Sequence, residues 1–164
     1  MTTQMLIEGA RQLVPAQLED RDAVVAFFGA LHHYNASLDP HFTLSEDWET
    51  IFDEQFRSRC NDPNTMLLLA KEGSKTIGLL IAEVHTDSPL FCHRQWVEVQ
   101  ALYVADSYRH QEIAQCLLSA AYAWAEGLKL SRIQLYVTAS NVRAHSLYAE
   151  EGFVTSQTIM CKQL

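Results

Sequence analysis

The stretch that decides the fold reads Trp96-Val97-Glu98-Val99-Gln100-Ala101-Leu102-Tyr103-Val104, then Asp106-Ser107-Tyr108-Arg109-His110-Gln111-Glu112-Ile113-Ala114. Its first half is rich in β-branched and aromatic residues and is closed by Asp106-Ser107, which predicts a central strand. Beyond the loop, Ile113, Leu117, Ala121, Trp124 and Leu128 recur every three to four residues, the spacing of a half-buried helix. The loop therefore sits at a helix N-terminus. Free backbone N–H groups and the positive end of the helix dipole converge there, a setting that suits a pyrophosphate without needing a charged side chain.

Working outward, Arg132-Ile133-Gln134-Leu135-Tyr136-Val137 has the composition of a second strand, and Asn141-Val142-Arg143-Ala144-His145-Ser146-Leu147-Tyr148 that of a helix closed by Gly152 before Phe153. Spacings of three and four put Asn141, Ala144 and Tyr148 on one helical face, so a polar anchor and a phenol look into the same space.

These residues resemble the GNAT superfamily of N-acetyltransferases, whose pyrophosphate loop reads Arg/Gln-x-x-Gly-x-Gly/Ala and whose later helix reads Asn-x-x-Ala-x-x-x-Tyr followed by Gly-Phe. Arg109 and Ala114 match the loop; Asn141, Ala144, Tyr148, Gly152 and Phe153 match the helix. One position departs, with Glu112 where the family usually has glycine. The resemblance implies an α/β fold: a mixed, mostly antiparallel central sheet with splayed middle strands and helices on both faces. Acetyl-CoA would enter the split as co-substrate, with no metal. Backbone groups of Leu102 and Val104 would meet the acyl carbonyl and pantetheine arm. Arg109, His110, Gln111, Glu112, Ile113 and Ala114 would form the phosphate loop, with Arg143 nearby, and Asn141 would contact the cofactor or cap its helix.

A carboxylate at position 112 facing a pyrophosphate about 6 Å away would lose roughly 3 kcal/mol at an effective dielectric near 20. Pointing to solvent from the first helical turn, it would lose less than about 1 kcal/mol, and this is the expected arrangement.

Acetyl transfer to an amine needs a neutral nucleophile, yet an amine of pKa about 10.4 is only about 0.04% neutral at pH 7, a deficit near 4.6 kcal/mol. A group must accept that proton. Glu98 is the candidate general base: it precedes Leu102 by four residues, an alternation that puts Glu98, Gln100 and Leu102 on one strand face, and a glutamate at the matching position is the base in some GNAT enzymes. Its alternative role is a sheet carboxylate paired with a neighbouring Arg or Tyr. Tyr148 is the candidate donor to the departing CoA sulfur, although a phenol near pKa 10 gives its proton uphill to a thiolate near 8.5, by roughly 2 kcal/mol.

The chain of 164 residues is 48% hydrophobic, enough for one domain spanning residues 1–164 with its acyl-CoA-binding core at about 96–153. No apolar run reaches membrane length, and Met1 to Gly9 lacks the regions of a secretory signal, so the expected location is cytoplasmic. Cys60, Cys92, Cys116 and Cys161 show no metal-ligand spacing and read as ordinary thiols. Twelve Lys plus Arg against 20 Asp plus Glu give a net charge of −8, which disfavours nucleic acid and favours cationic ligands. A small cationic amine is the expected acceptor. Adjacent His32 and His33, with His41, point in different directions for a metal and instead border the region where the family places its acceptor pocket.

Upstream, Leu13 to Ala16 predicts a short strand. Asp20 should cap a helix broken at Asn35 to Pro40, and Ser45 should cap a second carrying Trp48, Ile51, Phe52 and Phe56. Met66 to Ala70 and Thr76 to Val84 predict a hairpin, and Phe153 to Lys162 a final extended segment. A homodimer through the last strands is a family-level expectation. The competing readings are a non-catalytic acyl-CoA-binding or sensing domain of the same fold, a protein N-terminal or lysine acetyltransferase, and a nucleotide-binding regulatory domain using the same helix terminus.

Overall fold

The structure, a computed structural model, describes residues 5–7 and 10–164. The expectation about Met1 to Gly9 therefore lies, but for Met5 to Ile7, outside the described residues. Six strands lie in sequence order across one sheet: β1 (Met5–Ile7), β2 (Arg11–Pro15), β3 (Thr65–Glu72), β4 (Lys75–Thr86), β5 (Gln95–Val104) and β6 (Ile133–Leu135). The first five are antiparallel and β5–β6 is parallel. That is the mixed, mostly antiparallel sheet expected, with one strand, β1, that the sequence reading lacked.

Helices cover both faces. On one, α1 (Arg21–Leu38) and α2 (Trp48–Arg59) bury Val24, Val25, Phe52 and Phe56 against Leu69, Leu79 and Ile81. On the other, α3 (Ile113–Gly127) buries Ile113, Leu117, Leu118 and Ala121 against Ile77, Leu80, Val97 and Val99. The approach of α3 depends on Gly78 of β4. A Cβ there would lie 3.1 Å from both Ile113 Cγ2 and Leu117 Cδ1. Any larger residue would push the helix N-terminus off the sheet.

Two features of β5 shape the site. Ile81 pairs with Ala101 and Ala82 with Val99, so Gln100 is an extra residue, a β-bulge. The bulge reverses the alternation. Leu102 packs into the cluster under α3 with Val97 and Val99, whereas Glu98 and Gln100 interact on the opposite face. The expectation that Glu98 and Leu102 share a face is thereby corrected. The second feature is the short β6. Its ladder ends at the Val99–Leu135 pair, leaving the rest of β5 unpaired on that edge. Beyond this point β5 and β6, the last two strands of the sheet, part.

Several predicted boundaries shift. The helix expected to break at Asn35 continues to Leu38 and stops before Pro40. Asp20 does not cap α1 with its side chain; its carboxylate takes Lys71 Nζ at 2.6 Å and the Gln17 N–H at 3.0 Å. Ser45 is likewise no side-chain cap, because it donates to Asp47 at 2.8 Å while Asp47 occupies the N-cap. The strand expected over Arg132–Val137 shrinks to Ile133–Leu135. Phe153 to Lys162 forms no strand. Val154, Ile159 and Met160 stand exposed, and β6 ends the sheet. Composition alone makes no ladder without a neighbouring edge of comparable length.

Candidate active site

The turn before α3 contains the short 3-10 helix Asp106–Tyr108 and two residues in left-handed conformation, His110 (φ 64°) and Glu112 (φ 58°). This explains the family's glycine at the second of these positions. An L-residue in that conformation loses about 1–2 kcal/mol relative to the right-handed form. Glu112 is the N-cap of α3 and its exposed side chain makes no capping hydrogen bond. The first N–H groups of α3 are left without an intrahelical acceptor, ready for an anion.

Arg109 is tied down beside this turn. Its guanidinium pairs with Asp106, donates from Nε to the Val104 carbonyl at 3.3 Å and lies over the Tyr103 ring at 5.8 Å. The Val104 carbonyl is thus already engaged by a side chain. Gln111 turns away from the opening, bonding Arg11 and the Ser107 carbonyl.

On the far side stands α4 (Val142–Glu150). Asn141 is 9% exposed, and its Oδ1 accepts the Ala144 N–H at 3.1 Å, a side-chain N-cap. That leaves the amide's donors for another partner. Gly152 (φ 86°) ends the helix: its N–H meets the Ala149 carbonyl at 3.1 Å, and the Phe153 N–H meets that of Tyr148 at 2.8 Å. The turn brings the Phe153 ring edge-on to Tyr148 at 5.5 Å. Gly-Phe therefore clamps the phenol. The Tyr148 hydroxyl has no hydrogen bond to another described residue, and burial pushes its pKa up to about 12.

A cavity of about 380 Å³ runs between these walls, from Arg109, His110, Glu112, Ile113 and Ala114, past Leu102 to Val104, to Asn141 and Tyr148. A second cavity of about 100 Å³ opens at the split between β5 and β6 and shares Leu102, Asn141, Ala144 and Tyr148 with the first. It also reaches Asn35, Gln100, Tyr136 and Thr138. Of the predicted site residues, Gln111 and Glu98 line neither space. Glu98 lies one bulge away, 9% exposed, accepting Gln100 Nε2 at 3.2 Å and Trp96 Nε1 at 3.4 Å. Gln100 Nε2 also donates to Glu83 at 2.8 Å.

Asn35, Gln100, Tyr136 and Thr138 had no signal of their own in the sequence. Asn35 reads as a helix breaker, and only the packing of the end of α1 beside β5 brings it here. The histidines face different aromatic neighbours: the His32 ring lies tilted against Phe28 at 4.2 Å, His33 meets Trp48 edge-on at 6.2 Å, and His41 packs on Phe42. Burial, and secondarily the His33 charge, lowers the His32 pKa.

A split mixed sheet, an open helix N-terminus beside the split and a capped Asn/Tyr helix opposite define an acyltransferase fold. The family model for the acetyltransferase (GNAT) family matches residues 30–153, and the chain belongs to that family, which makes it an acetyltransferase by class. No curated protein matches the sequence. Among solved structures, a point mutant of the BH1408 protein from Bacillus halodurans is similar with a TM-score of 0.84 at 18% identity, over 93% of this chain and 98% of that one. The aminoglycoside antibiotic 6'-N-acetyltransferase AAC(6')-Ig from Acinetobacter haemolyticus gives 0.73 at 15%, over 93% and 97%. AAC(6')-Iy in complex with the bisubstrate analogue CoA-S-monomethyl-acetylneamine gives 0.72 at 13%, over 95% and 99%. At such identities the likeness is one of fold.

Proposed function

We propose that the protein is an acetyl-CoA-dependent N-acetyltransferase that acetylates a primary amine, a small cationic one, by direct attack of the amine. The observation that carries this reading is the meeting of two cavities at Leu102, Asn141 and Tyr148: one leads to an uncapped helix N-terminus, the other to a polar space at the sheet split. The residues fit the cofactor. The free amides of α3 with Arg109 and Arg143 would hold its phosphates, the unpaired edge of β5 its pantetheine arm, and the Asn141 amide a polar group of either. When bound, acetyl-CoA would supply the activated acetyl group.

Around the reacting atoms the chain has two tasks. Glu98 takes the proton released as the amine nitrogen bonds to the acetyl carbon, reached through water past Gln100. Tyr148 donates a hydrogen bond to the sulfur as the C–S bond breaks. With the phenol near 12, full proton transfer to a thiolate near 8.5 would run uphill by about 5 kcal/mol, so the role is hydrogen-bonding stabilisation. The net charge of −8 supports a cationic acceptor, as does the aminoglycoside acetylated by the similar Acinetobacter enzyme. No metal enters this scheme.

The two helical layers share one sheet, which supports reading residues 1–164 as one domain. Four free thiols support a cytoplasmic location. The exposed, unladdered segment after Phe153 and the unpaired outer edge of β6 support a homodimer. A non-catalytic acyl-CoA-binding domain is favoured by one observation, that Glu98 lines neither cavity.

Calorimetric titration with acetyl-CoA, using desulfo-CoA and ATP for comparison, followed by thiol release with small amines, protein N-termini and lysine peptides, tests the reading. Micromolar acetyl-CoA binding with amine-dependent thiol release is expected. Binding without release for any acceptor would favour the non-catalytic reading, equal ATP affinity a nucleotide-binding one, and release with peptides alone a protein acetyltransferase.

A further inference from the structure

The loop before α3 holds two non-glycine residues in left-handed conformation within three positions, His110 and Glu112, and neither gains a side-chain cap for it. Something outside the loop must compensate. The loop's other face supplies a candidate in Glu72, the last residue of β3.

Both oxygens of Glu72 are engaged. Oε1 accepts Arg11 Nε at 3.0 Å, and Oε2 accepts the Tyr108 hydroxyl at 2.7 Å. The other arm of the Arg11 guanidinium, Nη2, donates to Gln111 Oε1 at 2.6 Å, and Gln111 Nε2 closes back onto the Ser107 carbonyl at 3.1 Å. The Tyr108 ring lies 5.6 Å from the Arg11 guanidinium and 4.9 Å from Lys75 Nζ. A single carboxylate thus joins β2, the β3–β4 hairpin and two loop positions, and Gln111, the second of those, stands between the two left-handed residues. Glu72 and Arg11 do not line the cavity, whereas Tyr108, which Glu72 holds, does.

We propose that Glu72, through Arg11, Tyr108 and Gln111, is a positioning residue that holds the loop in its anion-receiving shape, the service that glycine at position 112 would otherwise render. The proposal rests on the acetyl-CoA reading for its functional consequence, but not for its structural one. A network satisfied at every member resists local opening more than isolated exposed ion pairs do. A backbone already in the bound shape also loses less freedom on binding.

The test is a cycle of E72Q and E112G, with R11M as a second cut of the same link. In unliganded protein, E72Q and R11M should each speed amide exchange at 109–115 by about tenfold, with exchange in β3, β4 and the body of α3 unchanged. In calorimetry, E72Q should raise the Kd for acetyl-CoA about tenfold, and in turnover it should raise KM with little change in kcat. On the E112G background the same substitution should raise Kd at least fivefold less. Unaltered exchange at the loop in both E72Q and R11M would overturn the proposal. So would an E72Q loss of equal size on both backgrounds, since a merely stabilising Glu72 would act additively. If the wild-type protein bound no acetyl-CoA, the cofactor reading would fail, while the exchange arm would still decide the role of Glu72.

Discussion

Tyr148 and Glu98 divide the proposed chemistry, and their surroundings set what each can do. A phenol near 12 stays protonated throughout the working range, so it serves as a constant hydrogen-bond donor. Tyr148→Phe should therefore lower kcat by roughly ten- to a hundredfold, at or below the low end of general-acid effects, with the Kd for acetyl-CoA within about twofold; unaltered turnover would leave Tyr148 a packing residue. Glu98→Gln should lose activity mainly at low pH, where too little neutral amine forms unaided, and a pH–rate profile of unchanged shape would remove Glu98 as base. At this scale the motif residues were legible from spacing: Asn141 caps, Gly152 ends its helix, and Tyr148 faces the cavity as a helical period requires. The relation of Glu98 to Leu102 was not, because a bulge at Gln100 breaks the alternation on which strand reading rests.

Among elements, the placing of α3 governs the site. Gly78→Ala would force its methyl to within 3.1 Å of Ile113 and Leu117. Overpacking there should destabilise the protein by about 1–3 kcal/mol in urea unfolding and weaken acetyl-CoA binding in the same variant, since the displaced end of α3 is the proposed anion site. Retention of both would show that α3 can slide without consequence. The loop linkage has its own pH signature. The Tyr108 hydrogen bond, and then the Arg11 guanidinium, hold the Glu72 carboxyl below the usual carboxylate range, and Lys75 adds a further cation. Glu72's contribution should be full above its unfolded pKa of about 4.3 and be lost as pH falls through the depressed folded value. Amide exchange at 109–115, corrected for its intrinsic pH dependence, should therefore rise only below about pH 4. A rise between pH 5 and 7 would point to a different group.

The whole molecule adds the edge. β6 ends the sheet, and the segment after Phe153 carries exposed Val154, Ile159 and Met160 with no ladder and no proline. An edge of this kind invites pairing with a second chain. Light scattering across a hundredfold range of concentration should show a dimer that truncation after Phe153 converts to monomer; a monomer at every concentration would dismiss the proposed association.

Helical and strand periodicity and turn residues carried the order of elements from β2 to α4 and the helix N-terminus before α3, because each depends on contacts between near neighbours in the chain; the fold class came with the resemblance of the loop and Asn/Tyr motifs to the GNAT family. What required tertiary structure was everything set by long-range register. The split of the sheet follows from the short β6, the facing of Glu98 from the bulge, and the seat of α3 from Gly78. The left-handed turn at Glu112 is braced by Glu72 and Arg11, which are far away in sequence. Side chains that meet only after the sheet closes leave no periodic mark along the chain.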